Sequence, residues 1–142
     1  MAEQLYAVIV GCGRLGALLA NQLSRKGHSV VAIDNDADAF AGLAAEYSGF
    51  RIEGEATELA VLKEAKVDKA DLVISTTRED NVNLMVAQIA KEVFKVPRVM
   101  ARVFLPEYED SYRRMGIEVV CPTRAAADMF LNALAEEEGS PK

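Results

Sequence analysis

Histidine and cysteine are scarce in this chain, with one and two copies among 142 residues. A single histidine, His28, cannot by itself form a metal site, and we expect it to be a surface turn residue. The cysteines, Cys12 and Cys121, belong to no CxxC motif or Cys/His cluster, which excludes a disulfide scaffold or a zinc-binding module. Such cysteine usage is typical of a reducing cytosol.

Long apolar runs and an excess of positive charge are absent as well. No apolar run approaches the ~18 to 20 residues that cross a bilayer. The opening MAEQ lacks the basic and apolar segments of a signal peptide. The formal net charge of −6 argues against a nucleic-acid-binding surface. With 51% hydrophobic and 27% charged residues, the chain has the balance of a globular protein and the length of one domain.

Segments typical of strands and of helices alternate along the chain. The predicted strands are residues 6–10, 29–33, 50–53, 70–76, 98–103 and 117–122. The predicted helices run from Leu15 to about Gly27, from Asp36 to Tyr47, from Thr57 to Ala65, from Glu79 to about Lys95, from Pro106, and from Thr123. Gly27, Thr57 and Thr123 are the expected caps, and the helix from Glu79 is expected to be the longest.

This alternation decides the predicted fold. Strands separated by helices at this interval indicate βαβ units, whose right-handed crossovers build a parallel sheet with helices on both faces. The strands are nearly continuous apolar runs, as expected when both faces are covered. The sequence therefore predicts an α/β, Rossmann-like, doubly wound sheet of six parallel strands in the order 3-2-1-4-5-6.

Three glycines, Gly11, Gly13 and Gly16, follow the first strand in the pattern G-x-G-x-x-G. Gly11 permits a tight turn, Gly13 leaves room for phosphate beside the backbone, and Gly16 allows the helix to pack closely on the sheet. A phosphate then lies at the helix N-terminus, where free N–H groups and the helix dipole favour negative charge. The motif alone is weakly specific, but its place between a strand and a helix favours a nucleotide-binding turn.

An acidic residue ends the second strand, at the distance from the glycines where a ribose-binding carboxylate is expected. Asp34 can accept hydrogen bonds from ribose hydroxyls and would repel a 2′-phosphate, which disfavours NADP; alternatively it is a turn acid. We expect Asp36 rather than Asp34 to cap the following helix. Arg14, inside the loop, either reaches phosphate oxygens in a forked contact or points into solvent.

The carboxyl ends of the later strands supply further candidates, because ligands of open α/β sheets bind there. We expect Glu55, Ala56 and Thr57 beside an adenine, Thr76, Thr77 and Arg78 near phosphate or a distal ribose, and Arg102 at the end of the fifth strand. Each has a structural alternative. Thr57 would be a helix cap, Thr76 and Thr77 would be turn residues, and Arg102 would pair with an acid.

The groups that would carry out chemistry on a nucleotide are missing from the sequence. A dehydrogenase needs a substrate region and an acid or base. The predicted elements occupy nearly all of the chain, and it contains no Ser/His/Asp, Cys/His or Tyr-x-x-x-Lys set. We therefore interpret the nucleotide as a signal and expect no enzyme activity. Two alternatives stay open: an NAD-dependent oxidoreductase fragment without its substrate domain, and a redox switch at Cys12, which would need a depressed thiol pKa.

Several blocks of sequence together resemble a known family. They are VIVGCGRLGALLANQLSRKGHSVVAIDND, GEATELAVLKEAKVDKADLVIST, NVNLMVAQIAKE, PRVMARV and GIEVVCP. In order and spacing they resemble the N-terminal regulatory domain of the Trk/Ktr potassium-uptake subunits, the TrkA-N or RCK N-terminal domain. The likeness covers almost the whole chain, so we expect residues 1–135 to form this nucleotide-binding domain and residues 136–142 to form a frayed tail.

The resemblance implies a cytoplasmic subunit, peripheral to the inner membrane, that assembles on a membrane potassium channel or transporter. It implies that an adenine nucleotide, namely NAD, NADH, ATP, ADP or AMP, changes the shape of a homodimer or ring and so gates transport. A C-terminal RCK domain, in the same or in a separate polypeptide, is expected as a further partner. No binding of nucleic acid is expected. The complete set of expected ligand-binding residues is Gly11, Cys12, Gly13, Arg14, Leu15, Asp34, Asn35, Glu55, Ala56, Thr57, Thr76, Thr77, Arg78 and Arg102.

Two positions depart from the family pattern. Glu55 stands where the family often has an aspartate. The glutamate keeps the negative charge but has a longer side chain. Some Ktr-type members have an acid after the proline that ends the sixth strand, associated with a cation at the dimer interface. Here Thr123 follows Pro122, so no metal site is expected.

The last predicted helix carries a broad apolar stripe. It consists of Ala126, Met129, Phe130, Ala133 and Leu134, widened by Ala127 and Leu131. Such a face can pack on its own sheet or on another subunit. The resemblance implies a helix that exchanges between protomers, so we expect a homodimer.

Overall fold

A computed structural model describes residues 3–139 of the chain and the side chains of residues 3–137. The strands are β1 (Tyr6–Val10), β2 (Ser29–Asp34), β3 (Phe50–Glu53), β4 (Leu72–Ser75), β5 (Arg98–Arg102) and β6 (Glu118–Val120). Within this part of the chain they form one six-stranded sheet, all parallel, in the order β3-β2-β1-β4-β5-β6. The predicted fold class and strand order are confirmed.

The central strand is β1, which pairs with β2 on one side and β4 on the other. Val8 lies opposite Val31 and Val73 in these two ladders. Residues 7–10 are almost completely buried, which suits a strand covered on both faces. Because successive side chains point to opposite faces, Val8 and Val10 join one apolar cluster and Ile9 joins the other.

Helices lie on both faces of the sheet, except for the last helix, whose residues 123–137 are all exposed. The α-helices are α1 (Arg14–Arg25), α2 (Leu59–Glu64), α3 (Asp80–Gln88), α4 (Glu109–Arg114) and α5 (Pro122–Gly139). The shorter segments are 3-10 turns at Ala37–Gly42, Val67–Lys69 and Pro106–Tyr108, and a π-helical turn at Ile89–Val93 that continues α3. Ala17 and Ala20 of α1 pack on the face of Ile9, and α2, α3 and α4 pack on the face of Val8.

The predicted helix from Asp36 to Tyr47 is wrong in length. Only Ala37–Gly42 is helical, as a 3-10 turn, and Asp36 caps it as predicted by accepting a hydrogen bond from the Asp38 N–H. The rest of the segment is held by Tyr47, whose hydroxyl lies 3.1 Å from the Val30 carbonyl and 2.9 Å from the Phe50 carbonyl. The hydrogen bonds of this buried tyrosine thus attach the connection to β2 and β3, where the prediction had a packed helix.

Two predicted caps are also wrong. Glu58 rather than Thr57 occupies the N-cap position of α2, which begins at Leu59. Thr123 lies inside α5, which begins at Pro122. Proline is favoured in the first turn of a helix because the N–H groups there have no acceptor within the helix, so the absent proline N–H costs no hydrogen bond. By contrast, Gly27 follows α1 with a φ of +92°, as expected for a glycine that ends a helix.

The longest α-helix among the described residues is α5, with 18 residues, and not the helix predicted from Glu79. The α3 helix ends instead in the π-helical turn, and Lys95 follows with a φ of +58°. The α5 helix continues through residues 136–139, where the sequence predicts a frayed tail, and residues 140–142 lie outside the described part. Within that part, the helices lack the combination of length and apolar character that a membrane span requires.

Candidate nucleotide-binding cleft

A cleft of about 630 Å³ opens at the carboxyl ends of the strands. It lies where the strand order reverses between β1 and β4, the position at which open α/β sheets bind ligands. The predicted residues that line it are Gly11, Gly13, Arg14, Leu15, Asp34, Asn35, Glu55, Ala56, Thr76, Thr77, Arg78 and Arg102. Cys12 and Thr57 do not line it.

The glycine loop has the geometry that its motif predicts. Gly11 has a φ of +97°, a conformation that side chains disfavour, and its N–H donates to the Ile33 carbonyl at 2.7 Å. A Cβ on Gly16 would lie 1.8 Å from the Gly11 carbonyl oxygen, so only glycine allows α1 to approach the loop. A Cβ on Gly13 would meet no atom within 4 Å, because open cleft adjoins that residue.

The N-terminus of α1 faces this open space without a competing anion. No side chain in the described part of the chain caps it, and its first turn contains no acidic residue. The first four N–H groups of a helix have no acceptor within the helix, so the amides after Gly13 are available to a ligand. Arg14 adds an exposed guanidinium to the same position.

Asp34 connects the end of β2 to two neighbouring loops. Its Oδ2 accepts from the Cys12 N–H at 2.7 Å, and its Oδ1 accepts from the Asp36 N–H at 2.9 Å. Each carboxylate oxygen can accept a further hydrogen bond. Asp34 therefore fixes the glycine loop while lining the cleft, so that its two predicted roles, turn acid and ligand acceptor, are compatible.

Cys12 contributes its backbone rather than its thiol. The side chain is 2% exposed. Burial, reinforced by the negative charge of Asp34 and opposed by Arg51, raises the thiol pKa to about 11. A redox switch needs a depressed thiol pKa. The raised pKa of Cys12 therefore argues against a redox switch at this residue.

The β2 and β3 ends meet through Asn35 and Glu55. The Asn35 amide donates to Glu55 Oε1 at 2.5 Å, and both side chains line the cleft. Ala56, next in the chain, is buried against the same wall. Thr57 is partly buried outside the cleft, because the chain turns away there toward α2.

Thr76 and Arg102 join the end of β4 to the end of β5. The buried Thr76 hydroxyl lies 3.1 Å from both the Val10 and Gly11 carbonyl oxygens, so it braces the glycine turn. Arg102 donates from one Nη to the carbonyls of Thr76 and Thr77, at 2.6 and 2.9 Å, and its guanidinium lies 4.5 Å from the centre of the Phe104 ring. Its hydrogen bonds thus go to carbonyls rather than to the acid that the structural alternative required.

Asn83 is a buried residue of this region that the sequence does not single out, and Asp36, Glu79 and Phe104 are among the lining residues that are not predicted as ligand-binding. Asn83 lies on α3, is fully buried, and bonds to Ser75, Thr77 and Arg102. The available signal is a polar residue on a helix face otherwise occupied by Val86, Ala87 and Ala90. A buried amide in such a place must be hydrogen-bonded.

Charge is unevenly distributed around the cleft. Arg14, Arg78 and Arg102 line its glycine-loop, β4 and β5 side together with one acid, Glu79, whereas Asp34, Asp36 and Glu55 line its β2 and β3 side. Burial lowers the pKa of Arg102, and the nearby Asp80 carboxylate opposes that shift; an arginine remains charged nonetheless. The arrangement suits a ligand with an anionic part and a hydroxyl-bearing part.

A second concavity, of about 690 Å³, lies at the opposite, amino ends of β1, β2 and β3. None of the predicted ligand-binding residues lines it. His28 lies there, partly buried, and its Nδ1 accepts from the Leu5 N–H at 2.9 Å. Over residues 3–139 no group of three His, Cys, Asp or Glu side chains is placed to hold a metal ion.

The fold and the glycine loop define a Rossmann-type domain, and comparison with known proteins identifies its family. The model of the TrkA-N domain matches residues 7–122. The chain belongs to the TrkA-N domain family.

Individual relatives agree with this assignment. The chain is 35% identical to the Trk system potassium uptake protein TrkA of Streptomyces coelicolor, over 96% of this chain and 61% of that protein. It is 36% identical to a TrkA homolog of Methanothermobacter thermautotrophicus, over 87% of this chain and 57% of that protein. The chain thus spans less than two thirds of the length of these relatives. A solved structure of the GsuK channel bound to NAD matches 98% of this chain and 25% of that one, with 26% identity and a TM-score of 0.80.

Proposed function

We propose that the cleft binds an adenine nucleotide and that the chain is the nucleotide-sensing part of a regulator of potassium uptake. The observation that carries this proposal is the glycine turn, where uncapped amides of α1 adjoin open space at Gly13 and the carboxylate of Asp34 lies at the next strand end. Phosphates would bind at the amides and Arg14, a ribose at Asp34, and an adenine beside Glu55 and Ala56. The NAD bound by GsuK and the TrkA names of the relatives support the same role.

The choice among NAD, NADH, ATP, ADP and AMP depends on the far side of the cleft. All five share an adenosine and at least one phosphate, which suit the glycine loop and Asp34 equally. They differ in the groups attached beyond the first phosphate, and those groups would extend toward Thr77, Arg78 and Arg102. The proposal therefore covers adenine nucleotides as a class.

The proposed role is binding without catalysis. Among the described residues, those that line the cleft include no histidine, lysine, tyrosine or cysteine. An NAD-dependent reduction needs a group that delivers or accepts a proton next to the substrate. Of the lining carboxylates, those of Asp34, Asp36 and Glu55 accept from backbone N–H groups or from Asn35, and Glu79 is exposed. The relatives are named for potassium uptake, which also favours a sensor over an oxidoreductase fragment.

The α5 helix supports a proposal for assembly. Every residue from Thr123 to Glu137 is exposed, and Met129 and Phe130 are 73% and 74% exposed. A helix with such an apolar face gains stability by packing on a second surface. We infer that it packs on a second copy of the chain in a homodimer or ring. That assembly would act in the cytoplasm on a membrane potassium channel or transporter, together with a C-terminal RCK domain.

The proposal is tested by ligand-dependent change of shape. The chain, spin-labelled at one exposed position of α5, is titrated with NAD, NADH, ATP and ADP while distances between labels in the assembly are measured. We expect at least one nucleotide to bind and to shift the distance distribution, because a ligand moves a conformational equilibrium only by its differential affinity for the two states.

A parallel incubation with NADH and a panel of carbonyl compounds tests the enzyme alternative. Oxidation of NADH above the protein-free rate would favour the oxidoreductase fragment. Binding of the nucleotides with no change in label distances would contradict the sensor role but leave nucleotide binding intact.

A further inference from the structure

Asn83 uses its whole amide to connect β4, the loop after it, and β5. Its Oδ1 accepts from the Ser75 hydroxyl at 3.0 Å, from the Thr77 N–H at 2.8 Å and from the Thr77 hydroxyl at 2.7 Å. Its Nδ2 donates to the carbonyls of Thr77 and Arg102, both at 3.0 Å. Four of these five contacts reach Thr77 or Arg102, which both line the cleft.

The residue is not explained by packing alone. Its neighbours on the buried side of the helix, Val86, Ala87 and Ala90, are apolar, and an aliphatic side chain would fill the same space without the cost of burying an amide. Only an amide supplies an acceptor oxygen and two N–H donors from one side chain. An aspartate would accept from Thr77 but could not donate to either carbonyl.

The contacts of Asn83 also contribute to the placement of the Arg102 guanidinium. The Thr77 carbonyl accepts from both Asn83 Nδ2 and Arg102 Nη2, and the Arg102 carbonyl is held by the same Asn83 amide. Asn83 therefore holds the Arg102 backbone and one of the two carbonyls that accept from its side chain; the other is the Thr76 carbonyl. Within residues 3–139, the buried Arg102 Nε is left without a hydrogen-bond partner. The guanidinium is held by Nη2, which donates to the carbonyls of Thr76 and Thr77, and by its contact with the Phe104 ring.

We propose that Asn83 is a positioning residue that sets the preference of the cleft for phosphorylated ligands over the nucleoside. It acts through Thr77 and Arg102, on the side of the cleft that carries Arg78 and Arg102, and does not touch the ligand. This inference rests on the proposed adenine-nucleotide site. Loss of the Nδ2 donors releases the carbonyls of Thr77 and Arg102. One of the two acceptors of the guanidinium and the backbone that carries it then become less firmly held, which shifts the guanidinium relative to the ligand phosphates.

The test compares ADP with adenosine, which lacks the phosphates. Binding of each to the wild type, Asn83→Asp and Asn83→Ser is measured by calorimetry, at a temperature where circular dichroism reports a folded chain. We expect affinity for ADP to fall about tenfold or more and affinity for adenosine to change less than about twofold, as for the loss of charge-assisted contacts to one part of the ligand. Asn81→Asp, the same change at an exposed position of α3, is the matched control and should alter neither affinity.

A double variant tests whether Asn83 acts through Arg102. If it does, Asn83→Asp combined with Arg102→Gln weakens ADP binding no more than Arg102→Gln alone, because coupled residues are not additive. Ser75→Ala, which removes one donor to Asn83 Oδ1 and keeps the amide, should produce a smaller loss in the same direction.

Three results overturn the inference. Equal losses for ADP and adenosine, or failure of both Asn83 variants to fold, would assign Asn83 a purely structural role. Additive losses in the double variant would separate Asn83 from Arg102. Absence of binding of both ligands to the wild-type chain is a different result, which contradicts the proposed function itself.

Discussion

Asp34 accepts a hydrogen bond from the Cys12 N–H at 2.7 Å, so one carboxylate ties the end of β2 to the middle of the glycine loop. Its other oxygen accepts from the Asp36 N–H. The residue proposed to hold the ribose thus also holds the loop proposed to hold the phosphates. Ligand recognition and loop shape depend on the same side chain.

Replacing Asp34 by Asn should weaken NAD binding and reduce discrimination against NADP. The variant keeps one oxygen, loses the negative charge, and so loses charge-assisted contacts to the ribose, with an expected cost of about 1.5 kcal/mol or about tenfold in affinity. NADP should lose less affinity or gain some, since repulsion of its 2′-phosphate is relieved. Calorimetric titration with both dinucleotides measures the ratio.

Asp38→Asn, an exposed charge removal on the neighbouring 3-10 turn, is the control for net charge. An unchanged ratio of NAD to NADP affinity in the Asp34 variant would contradict the proposal that the ribose binds at Asp34.

Gly13→Ala should weaken nucleotide binding, whereas Gly16→Ala should lower the stability of the fold. The Gly13 variant places its methyl in open cleft at an ordinary φ of −71°, so stability should be nearly unchanged while nucleotide affinity falls because the methyl obstructs the phosphate. The Gly16 variant places its methyl 1.8 Å from the Gly11 carbonyl oxygen and should lose about 2 kcal/mol or more of unfolding free energy. Urea unfolding and titration of both variants measure the two quantities.

Full affinity in Gly13→Ala would mean that the phosphates lie elsewhere. A Gly16→Ala chain as stable as wild type would contradict the close contact between α1 and the loop.

Glu109 should stabilise the chain at neutral pH but not in acid. It is 5% exposed and pairs with Arg113 and with Arg124, at 3.0 and 2.5 Å. Hydrogen bonds from Arg124 and then Arg113 lower the pKa of its carboxyl. A group with a lowered pKa contributes stability above its unfolded pKa of about 4.3, and the contribution is lost as the pH falls through the lowered value.

The measurement is urea unfolding of wild type and Glu109→Gln at pH 7 and at pH 3. We expect the variant to be less stable at pH 7 and the difference to shrink at pH 3. Glu107→Gln, an exposed neighbour, is the control. A difference that stays constant with pH would show that the ion pairs contribute no pH-dependent stability.

The chain should lose stability in alkali because its fold retains protons on buried groups. Burial raises the pKa of Cys12 to about 11 and the pKa values of Tyr47 and Tyr112 to about 12. Stability from a raised pKa is complete below the unfolded value, here about 9 for the thiol and 10 for the phenols, and is lost as the pH rises through the folded value.

Unfolding free energies between pH 8 and 11.5 should therefore fall, most steeply above pH 9, and Tyr112→Phe should reduce the slope. That variant also removes the hydrogen bond from the Tyr112 hydroxyl to the Asp80 carbonyl, which lowers stability at every pH by about 1 kcal/mol. A slope equal to that of the wild type would mean that Tyr112 does not hold its proton more tightly in the folded state.

The exposed face of α5 should govern the oligomeric state. Phe130→Glu places a charge at the centre of that face, where dimer formation would have to bury it. We expect sedimentation to report a shift from dimer to monomer, with unchanged unfolding of the monomer since Phe130 is 74% exposed. Asn132→Glu adds the same charge on the same helix; a shift of equal size in both variants would point to general repulsion, and no shift in Phe130→Glu would exclude this face from the contact.

The sheet and the loop could be predicted because their signals are local. Gly11, Gly13 and Gly16 each meet a requirement that lies within one βαβ unit, and Asp34 follows directly from the strand that precedes it. Alternating apolar runs determine the strands, and short right-handed connections then leave few alternative strand orders.

Some of the errors lie where tertiary contacts override local preference. Thr57 and Thr123 are good capping residues, but Glu58 is the N-cap of α2 and Pro122 begins α5; the second of these boundaries follows from the preference of proline for a first helical turn. The segment to Tyr47 has helical composition, yet hydrogen bonds of Tyr47 to β2 and β3 hold it in another conformation. The hydrogen bonds of Asn83 to the ends of β4 and β5 form only when these two strands lie side by side. The sequence around Asn83 does not reveal that pairing.

Structure determination of the chain with bound ADP or NAD tests the central claim most directly. The expected result is a diphosphate within hydrogen-bond distance of the backbone N–H groups after Gly13, with the adenosine ribose at the Asp34 carboxylate. Nucleotide bound only in the concavity at the amino ends of β1, β2 and β3, or an empty cleft at saturating concentrations of both ligands, would contradict it.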